Sequence, residues 1–398
     1  MANNISVFSL KSCYGCTACA AVCPHNAIQI RSNDEGFYYP HLDKDKCIDC
    51  GVCLKVCNIN EQNLIKVTND EPQSVYAAWS KDRASVLKST SGGVSFHISK
   101  NFIRNGGVVY GVGWKEHLKA SHIRVDKIEQ LESLRGSKYV QSDLDGVYLN
   151  IKCDLKEGRK VLFIGTPCQV GGLKSFLNKE QQKNLYTIDL VCHGTPSNKM
   201  FQAYLSYLEN KEKSKIISFA FRGKKTTGWR AYEIVKYDNG KETIKTSGHQ
   251  PYFVGFYDDL FSKEKCYGCG YSQKRRPGDV TLSDFWGSEK SNTLLAKERK
   301  YGYNFFSCNT YKGAELFEMV KNEIVLIPSS YDIAVAGDIR FRSSNSRPII
   351  RNFIYKELDT IGFDGIKKKY LDSTKQRIKR LVPEKIINLI REIQCRIK

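Results

Sequence analysis

The sequence lacks the features that mark exported and membrane-spanning chains. Residues 1–13 contain no basic segment followed by an apolar one, so they do not predict a secretory signal. No uncharged apolar run reaches roughly eighteen residues, so no transmembrane helix is predicted. Acidic residues are also few, 42 against 62 Lys and Arg, which gives a formal net charge of +20. We therefore expect a basic protein of the reducing cytoplasm, where disulfides are rare.

Cysteine is abundant, with fifteen in 398 residues. Because disulfides are not expected, the thiols are interpreted as metal ligands or as buried core residues. Two runs follow the pattern C-x2-C-x2-C-x3-C, and their members are Cys13, Cys16, Cys19 and Cys23, then Cys47, Cys50, Cys53 and Cys57. A proline follows the first run, and Asn58 takes that place after the second. This spacing is typical of a bacterial ferredoxin with two [4Fe–4S] clusters.

In such ferredoxins the fourth cysteine of each run binds the other cluster. The predicted ligand sets are therefore interlocked: Cys13, Cys16, Cys19 and Cys57 for one cluster, and Cys47, Cys50, Cys53 and Cys23 for the other. A pair of zinc sites is the alternative, but a zinc site needs only two C-x2-C pairs, so some of the thiols would bind no metal. Residues 1–65 are predicted to form this ferredoxin-type module, with a hairpin segment at 36–40 and a polar linker at 66–74.

The next domain is predicted to be organised around residues 161–194. Residues 161–164 and 186–191 have the apolar, β-branched composition of buried strands, and 172–179 has the composition of a helix between them. A right-handed βαβ crossover makes the strands parallel, so Cys168 and Cys192 are expected at the same edge of the sheet. Ligands bind at that edge in α/β proteins.

A further C-x2-C, formed by Cys266 and Cys269, has three interpretations. Together with Cys168 and Cys192 it would complete the four thiolates of a third cubane cluster. It also fits a redox-active or zinc-binding pair, or thiols without a ligand. The remaining thiols, Cys153, Cys308 and Cys395, have no partner pattern and are predicted to be core or surface residues.

Several polar residues are candidates for cofactor contacts. A helix is predicted from Ser91 to residue 104, with Ser91 as its cap and two glycines after it. The free backbone N–H groups at the start of this helix suit a phosphate or a flavin pyrophosphate. The alternative is an ordinary helix cap whose glycines allow close packing. Arg135 and Lys138 are predicted on a loop, where such cations are often only solvated. His193 is interpreted as a proton donor or as a hydrogen-bonded structural histidine.

Six ordered motifs carry a resemblance to a known family. They are SGGV at 91–94, GSKYVQ at 136–141, GTPCQVGGL at 165–173, CHGTPS at 192–197, the C-x2-C at 266–269, and GDVTLSDFWG at 278–287. From its ferredoxin module to about residue 350 the chain resembles the family of coenzyme F-420 hydrogenase/dehydrogenase beta subunits. It is also similar to plant hydroxymethyl chlorophyll reductase and to archaeal deazaflavin-oxidising subunits.

The resemblance implies an FAD- and iron–sulfur-dependent oxidoreductase. It implies that Ser91, Gly92 and Gly93 contact the FAD phosphates and that Lys138 and Thr166 lie near the isoalloxazine. It also implies that Cys168, Cys192, Cys266 and Cys269 hold a third cluster and that Arg276, Asp279 and Asp284 line the same pocket. Gly165 and Pro167 are further candidates for cofactor binding. The candidates for catalysis are Lys138, Thr166, His193 and Asp284. The implied fold is of the α+β or α/β class: a two-cluster ferredoxin-like module, a mixed α/β flavin-binding domain at 75–350, and a helical tail at 351–398.

The tail has its own composition. Residues 365–398 carry eleven Lys or Arg and three Asp or Glu, and Pro383 divides them into two predicted helices. The second helix is basic and amphipathic, which suits an anionic membrane surface on the inner face of the membrane. The same pattern is compatible with packing on the protein itself or on a partner subunit.

Three functions follow from these features. In the first, an acidic carrier of the ferredoxin or flavodoxin type exchanges electrons through the clusters and FAD with an organic or deazaflavin acceptor, since the basic charge favours acidic carriers. Stand-alone bacterial relatives suggest a role in surface polysaccharide synthesis. In the second, the chain is an electron-input subunit without a substrate of its own. The third, a nucleic-acid-binding protein with structural clusters, is disfavoured because the basic tail has no interleaved aromatic residues.

Overall fold

The computed structural model describes residues 2–70, 74–224, 229 and 232–372. Its strands are β1 Ile28–Ser32, β2 Tyr38–Leu42, β3 Ser74–Ser80, β4 Val108–Lys115, β5 Lys119–Val125, β6 Val161–Gly165, β7 Leu185–Leu190, β8 Ile216–Gly223, β9 Tyr232–Tyr237, β10 Glu242–Thr246, β11 Val280–Asp284, β12 Asn304–Cys308 and β13 Ile324–Pro328. Its α-helices are α1 Ala18–Val22, α2 Val52–Lys55, α3 Glu61–Val67, α4 Arg83–Leu87, α5 Val94–Arg104, α6 Val147–Lys156, α7 Pro167–Phe176, α8 Asn198–Glu212, α9 Pro251–Tyr257, α10 Thr293–Glu298, α11 Tyr311–Glu318, α12 Tyr331–Gly337 and α13 Arg351–Ile366.

A large mixed sheet has the strand order β13-β3-β12-β11-β7-β6-β4-β5. Its centre is parallel, because β4, β6, β7 and β11 run in the same direction, while β5, β12, β3 and β13 complete it with antiparallel pairs. A parallel centre needs apolar cover on both faces. The mixed α/β architecture with a ferredoxin-type module at its N-terminus confirms the predicted fold class.

Alternation along β6 shows how the two faces are filled. Leu162 packs in one apolar cluster with Ile98 and Phe102 of α5, whereas Val161 and Phe163 pack in another with residues of α6 and α7. Side chains of successive strand residues point to opposite faces, so this one strand contributes to both cores. Residues of the ferredoxin module, among them Ala18 and Val56, belong to the second cluster and fix the module against α6 and α7.

The β6-α7-β7 unit confirms the predicted βαβ crossover, with β6 and β7 adjacent and parallel. The helix, however, begins at Pro167 and ends at Phe176, so the predicted range 172–179 was wrong at both ends. Thr166 precedes it, and its backbone N–H donates to Gln169 Oε1 at 3.0 Å. Proline is favoured in the first turn of a helix because it has no N–H to leave unpaired. Cys168 therefore lies on the first turn of α7.

The helix after β3 also begins later than predicted. Its N-cap is Gly93, with a left-handed φ of 84°, and α5 starts at Val94, so Ser91 is not the cap. The hairpin segment predicted at 36–40 overlaps the antiparallel β1–β2 pair. The polar segment from residue 66 begins inside α3, and Asn69 donates its side-chain amide to the Gly278 carbonyl at 2.8 Å.

The start of the predicted tail belongs to a core. Ile354, Leu358 and Phe363 of α13 are buried with residues of α8, α9 and the β8–β10 sheet. The second predicted tail helix, with Pro383 before it, lies outside the described residues. Among the helices that are described, none combines the length and apolar character needed to cross a membrane.

Candidate iron–sulfur and cofactor sites

The first thiol site consists of Cys13, Cys16, Cys19 and Cys57, which line one small cavity of about 20 Å³. Cys57 comes from the second cysteine run, as the interlocked pattern predicts. The loop is tight because Gly15 and Thr17 adopt left-handed φ values of 73° and 66°. The Gly15 N–H also points at Cys13 Sγ, 3.3 Å away.

The second thiol site is the set that the sequence predicts, Cys23, Cys47, Cys50 and Cys53. Cys23 and Cys53 share an apolar cluster with Ile5, and Cys23 Sγ accepts from the Ala27 N–H at 3.3 Å. Gly51, at a left-handed φ of 73°, turns the chain between Cys50 and Cys53. Cys50 is exposed, so this site lies at the outer surface of the module.

The third thiol site consists of Cys168, Cys192, Cys266 and Cys269, which line a single cavity of about 40 Å³. Cys168 comes from the start of α7, Cys192 follows β7, and the other two come from the turn Glu264–Gly268 and the residue after it. Thr166 Oγ1 lies 3.3 Å from Cys168 Sγ. The structure thus brings together the four thiols that the sequence suggested as a set.

These cavities fit a cubane better than a single ion. The described residues contain no group of three or more His, Cys, Asp or Glu placed to hold one metal ion. In a cubane each thiolate binds a different iron, so four thiols surround a volume instead of meeting at a point. Burial raises the pKa of the Cys168 and Cys192 thiols, and the neighbouring thiols raise it further. Such thiols lose their protons when a metal binds them.

The first and third thiol sites are neighbours. Gly172 of α7 faces Cys16, and a Cβ at that position would lie 2.7 Å from the Cys16 Cβ and 2.8 Å from its Sγ. Tyr14 lines both cavities, and its ring meets Tyr271 edge-on with centroids 5.3 Å apart. Close approach of the ferredoxin module to α7 therefore depends on the absence of a side chain at Gly172.

A larger cavity, of about 340 Å³, is here called the cationic cavity. Its lining contains five cationic side chains, those of Lys88, Arg135, Lys138, Arg222 and Lys224. It also contains the aromatic rings of Trp114, Phe219 and Phe221 and the hydroxyls of Ser89, Thr90 and Ser137. Drug-sized ligands and cofactors occupy pockets of this size. The lining suits a molecule that is both aromatic and negatively charged.

Two of these cations have unusual titration behaviour. Burial lowers the pKa of Lys138 to about 7 and that of Lys224 to about 7. Lys138 Nζ donates to the Arg135 carbonyl at 2.8 Å, and Lys224 Nζ donates to the Ser91 and Val86 carbonyls at 2.6 and 3.0 Å. Each ammonium is held by neutral carbonyls and is available to an anion in the cavity.

An aromatic layer joins the cationic cavity to the third site. Arg222 Nη1 donates to Tyr139 Oη at 3.0 Å, and the Tyr139 ring lies 5.1 Å from that of Phe256. Phe256 is in turn 4.6 Å from the ring of His193, which lines the third site. The rings of Tyr139, Phe256 and His193 thus connect the two spaces.

The predicted phosphate contacts lie behind the cavity wall. Ser91 Oγ donates to the Tyr303 carbonyl at 2.8 Å, and Gly92 packs against the Ala78 carbonyl and Asn304. The Val94 N–H at the start of α5 points to Asn304 Oδ1 at 3.5 Å. The cavity itself is lined by Ser89 and Thr90. The predicted helix start at Ser91 was wrong, because α5 begins at Val94, whereas the predicted contact of Ser91, Gly92 and Gly93 with a cofactor stays a prediction.

Most of the other predicted cofactor residues belong to the third site or to its supports. Thr166 contacts Cys168, Pro167 and Arg276 line the third cavity, and Gly165 packs on the Phe163 ring. Asp279 accepts hydrogen bonds from the Thr187 N–H and hydroxyl at 2.8 and 2.7 Å, which fixes β7 to β11. Arg135 and Lys138, the two cations predicted on a loop, line the cationic cavity.

Arg276 forms a buried ion pair with Asp189, with Nη2 at 2.8 Å from Oδ1. Its guanidinium also donates to the Tyr271 and Leu190 carbonyls at 2.9 and 3.0 Å. Tyr271 follows Cys269 and Leu190 precedes Cys192. Arg276 therefore joins two segments that carry thiols of the third site.

His193 has partners at both ring nitrogens. Arg340 Nη1 donates to Nδ1 at 2.6 Å, so Nε2 carries the proton and faces Asp259 Oδ1 at 2.9 Å. This arrangement supports the interpretation of His193 as a structural histidine over its interpretation as a proton donor.

Asp284 also has partners at both carboxylate oxygens. Arg222 Nη1 lies 2.5 Å from its Oδ2, and the Trp229 indole donates to its Oδ1 at 2.9 Å. It orients a cation of the cavity.

Sequence reasoning missed Lys224 and Lys263, which approach their sites from distant parts of the chain. Lys263 stands three residues before Cys266, but the segment SKEKC contains two lysines and nothing that distinguishes the buried one. Only the packing of the ferredoxin module against the large domain shows that Lys263 is the buried lysine.

The fold and the thiol sites define an iron–sulfur protein of electron transfer. A family model described as "4Fe-4S dicluster domain" matches residues 12–60. A second model, which describes the C terminus of the beta subunit of coenzyme F420 hydrogenase/dehydrogenase, matches residues 158–332. These two matches confirm the resemblance to coenzyme F420 hydrogenase/dehydrogenase beta subunits that the motifs indicated.

Among curated proteins, the chain is 25% identical over 193 residues to one of the subunits of the F(420)H(2) dehydrogenase of Methanosarcina mazei. That match covers 45% of this chain and 53% of the relative, about half its length. An uncharacterized protein of Methanocaldococcus jannaschii is 22% identical over 337 residues, covering 77% of this chain and 89% of that protein.

Among solved structures, a chain of the F420-reducing [NiFe] hydrogenase complex from Methanosarcina barkeri aligns with a TM-score of 0.46 and 14% identity. The alignment covers 77% of this chain and 95% of that chain.

Proposed function

We propose that this protein is an iron–sulfur flavoprotein oxidoreductase in which the three thiol sites hold [4Fe–4S] clusters and the cationic cavity holds FAD. The observation that carries the proposal is the position of the third thiol site. Its wall includes Tyr14, which also lines the first site, and His193, which leads through Phe256 and Tyr139 to the cationic cavity.

The residues of the cationic cavity fit a flavin nucleotide. Lys138, Lys224 and Arg135 supply positive charge for a pyrophosphate, and the Ser89 and Thr90 hydroxyls supply hydrogen bonds to it. Trp114 and Phe221 offer apolar ring faces for an isoalloxazine. When bound, the clusters supply one-electron steps and the flavin supplies a two-electron step to an organic or deazaflavin acceptor, or the reverse.

The partner is proposed to be an acidic one-electron carrier of the ferredoxin or flavodoxin type. Cys50 of the second thiol site is exposed, and the chain has a net charge of +20. Each [4Fe–4S](Cys)4 unit would contribute roughly −2, so three of them leave the protein basic. An acidic carrier is attracted to such a surface, and its association rate should fall as salt rises.

An electron-input subunit without its own substrate is the second candidate. It is favoured by the similarity to a protein that is named as one of the subunits of a dehydrogenase. In that case the electrons would leave for a catalytic partner.

One anaerobic experiment separates the two candidates. Purified protein is reduced with dithionite, freed of excess reductant, and mixed with a deazaflavin, nicotinamide nucleotides or sugar nucleotides, while flavin reoxidation is followed by absorbance. Sugar nucleotides test the proposed link to polysaccharide synthesis. Reoxidation by one class identifies the acceptor, whereas no reoxidation by any class supports the electron-input role. A purified protein without flavin would contradict the flavoprotein proposal itself.

FAD affinity is expected to depend on pH. The pKa of Lys138 in the free cavity is about 7, below its ordinary value, so the ammonium is present below about pH 7 and lost above it. An anionic pyrophosphate binds the charged form, and we therefore expect the FAD dissociation constant to rise about tenfold from about pH 6 to about pH 9. Fluorescence titration of flavin-free protein with FAD measures this dissociation constant.

The matched variant for this test is Lys138→Met, which keeps the length of the side chain and removes the charge. It should bind FAD more weakly at about pH 6 and show a smaller change at about pH 9. If wild-type affinity were the same at both pH values, Lys138 would not contact the anion.

A further inference from the structure

Lys263 is a buried lysine between the first and third thiol sites. Its exposed fraction is 1%, and it lines the third cavity. The side chain crosses to the ferredoxin module, where Nζ donates to the Tyr38 carbonyl at 2.8 Å and lies 3.6 Å from the centroid of the Tyr39 ring. Nζ also rests against Gly15, at the position that a Cβ would occupy. Both the carbonyl and the ring face are partners of a protonated amine.

The backbone of the same residue supports the other site. The Cys266 N–H donates to the Lys263 carbonyl at 2.9 Å, and the Lys263 N–H donates to the Thr195 carbonyl at 3.1 Å. One residue therefore fixes the turn that carries Cys266 and places a charge beside the loop that carries Cys13 and Cys16.

This ammonium has no carboxylate partner among the described residues. Burial lowers the pKa of Lys263, and the neighbouring thiols oppose that shift: Cys13 and Cys16 of the first site, and Cys168 and Cys266 of the third. A buried charge without an opposite charge is costly, so such a lysine needs a counter-charge. Four thiolates that hold a cubane keep a net negative charge and would provide it on both sides.

We propose that Lys263 is the shared counter-cation of the first and third thiol sites and raises the reduction potential of the cluster held at each. The inference rests on the proposed binding of clusters at these sites. A positive charge in a poorly solvated region stabilises the reduced, more negative form of a nearby cluster, and local charge and hydrogen bonding set cluster potentials. Because Lys263 acts on both, the two potentials are raised together.

The test is a redox titration of anaerobically purified holoprotein, followed by electron paramagnetic resonance, for wild type and Lys263→Met. Methionine keeps an unbranched apolar side chain and removes the charge. We expect the equilibrium constant for one-electron reduction to fall about tenfold at the first and third sites, which is a shift of about 59 mV to lower potential. The second site, with Cys23, Cys47, Cys50 and Cys53, should keep its potential and serves as the internal reference.

Two control variants accompany it. Lys263→Arg retains the charge and should keep both potentials within about a threefold change in that constant. Lys44→Met removes the charge of an exposed lysine in the same module and should leave every potential unchanged. Unmoved potentials in Lys263→Met, or an equal shift at all three sites, would overturn the proposal.

Loss of the third cluster in Lys263→Met would still leave a decisive measurement. The first-site potential is then compared between Cys168→Ser alone and Cys168→Ser with Lys263→Met, and the same tenfold difference is expected; no difference overturns the proposal. Failure of the proposed function looks different, because wild-type protein would then contain only the iron of the ferredoxin module.

Discussion

Replacing Cys168 by serine should lower the iron content of anaerobically purified protein from about twelve to about eight per chain, the loss of one four-iron cluster. Cys168 is one of four thiols around the third cavity, and a serine hydroxyl is a poor ligand for iron. The first and second thiol sites contain no residue of α7, so their clusters should remain. Iron and acid-labile sulfide assays measure the change.

The same variant should slow the reduction of the bound flavin through the ferredoxin module at least about 10²-fold, because in the proposed path the third site lies between the ferredoxin module and the flavin.

Cys153→Ser is the matched control for this variant. Cys153 lies on α6, is exposed, and belongs to none of the three thiol sites. It should keep about twelve irons. If Cys168→Ser also kept its full iron and sulfide, the third thiol site would not hold a cluster.

Gly172→Ala is expected to have the second large effect. The new Cβ would lie 2.7 Å from Cys16 Cβ and 3.1 Å from the Tyr148 hydroxyl, and both belong to packed segments that cannot move freely. Overpacking of a core costs about 1–3 kcal/mol. We therefore expect a lower midpoint in urea unfolding and partial loss of iron from the first thiol site, since Cys16 would be displaced.

Gly248→Ala is the control, because Gly248 is exposed and a Cβ there would meet no atom within 4 Å. It should retain wild-type stability and iron. Gly172→Ala with the stability and first-site spectrum of wild type would show that the module and α7 do not pack as described.

The two ferredoxin runs show what local spacing can predict. Three cysteines on one short loop and the fourth cysteine of the other run define the ligands of a cubane, and the structure places Cys57 with Cys13, Cys16 and Cys19 as that pattern requires. The βαβ crossover was predictable for a related reason. Its strands are short apolar runs that follow each other along the chain and pair directly with each other in the sheet.

Helix starts were harder to predict because two signals competed. Serine at residue 91 is a good cap by type, but the left-handed glycine at residue 93 is the N-cap of α5. At α7 the reverse occurred: Thr166, Pro167 and Gln169 form a start signal that was passed over in favour of composition further on. Both errors concern where a helix begins, and the correct start depends on the backbone conformation of one or two residues.

The cationic cavity could not be predicted as a unit. Lys88 follows α4, Lys138 precedes α6, and Lys224 follows β8. No local sequence pattern links these three segments. The state of His193 was equally hidden, because its partners Asp259 and Arg340 are distant in sequence. Long-range packing decides such sites, and a single sequence does not record it.

The central claim is that four thiols from α7, the segment after β7 and the turn at Cys266 hold a cluster beside a flavin. Combined analysis of iron, sulfide and flavin in anaerobically purified wild-type protein tests it most directly. The account predicts about twelve irons, about twelve sulfides and about one FAD per chain. A value near eight irons, with or without flavin, would contradict it.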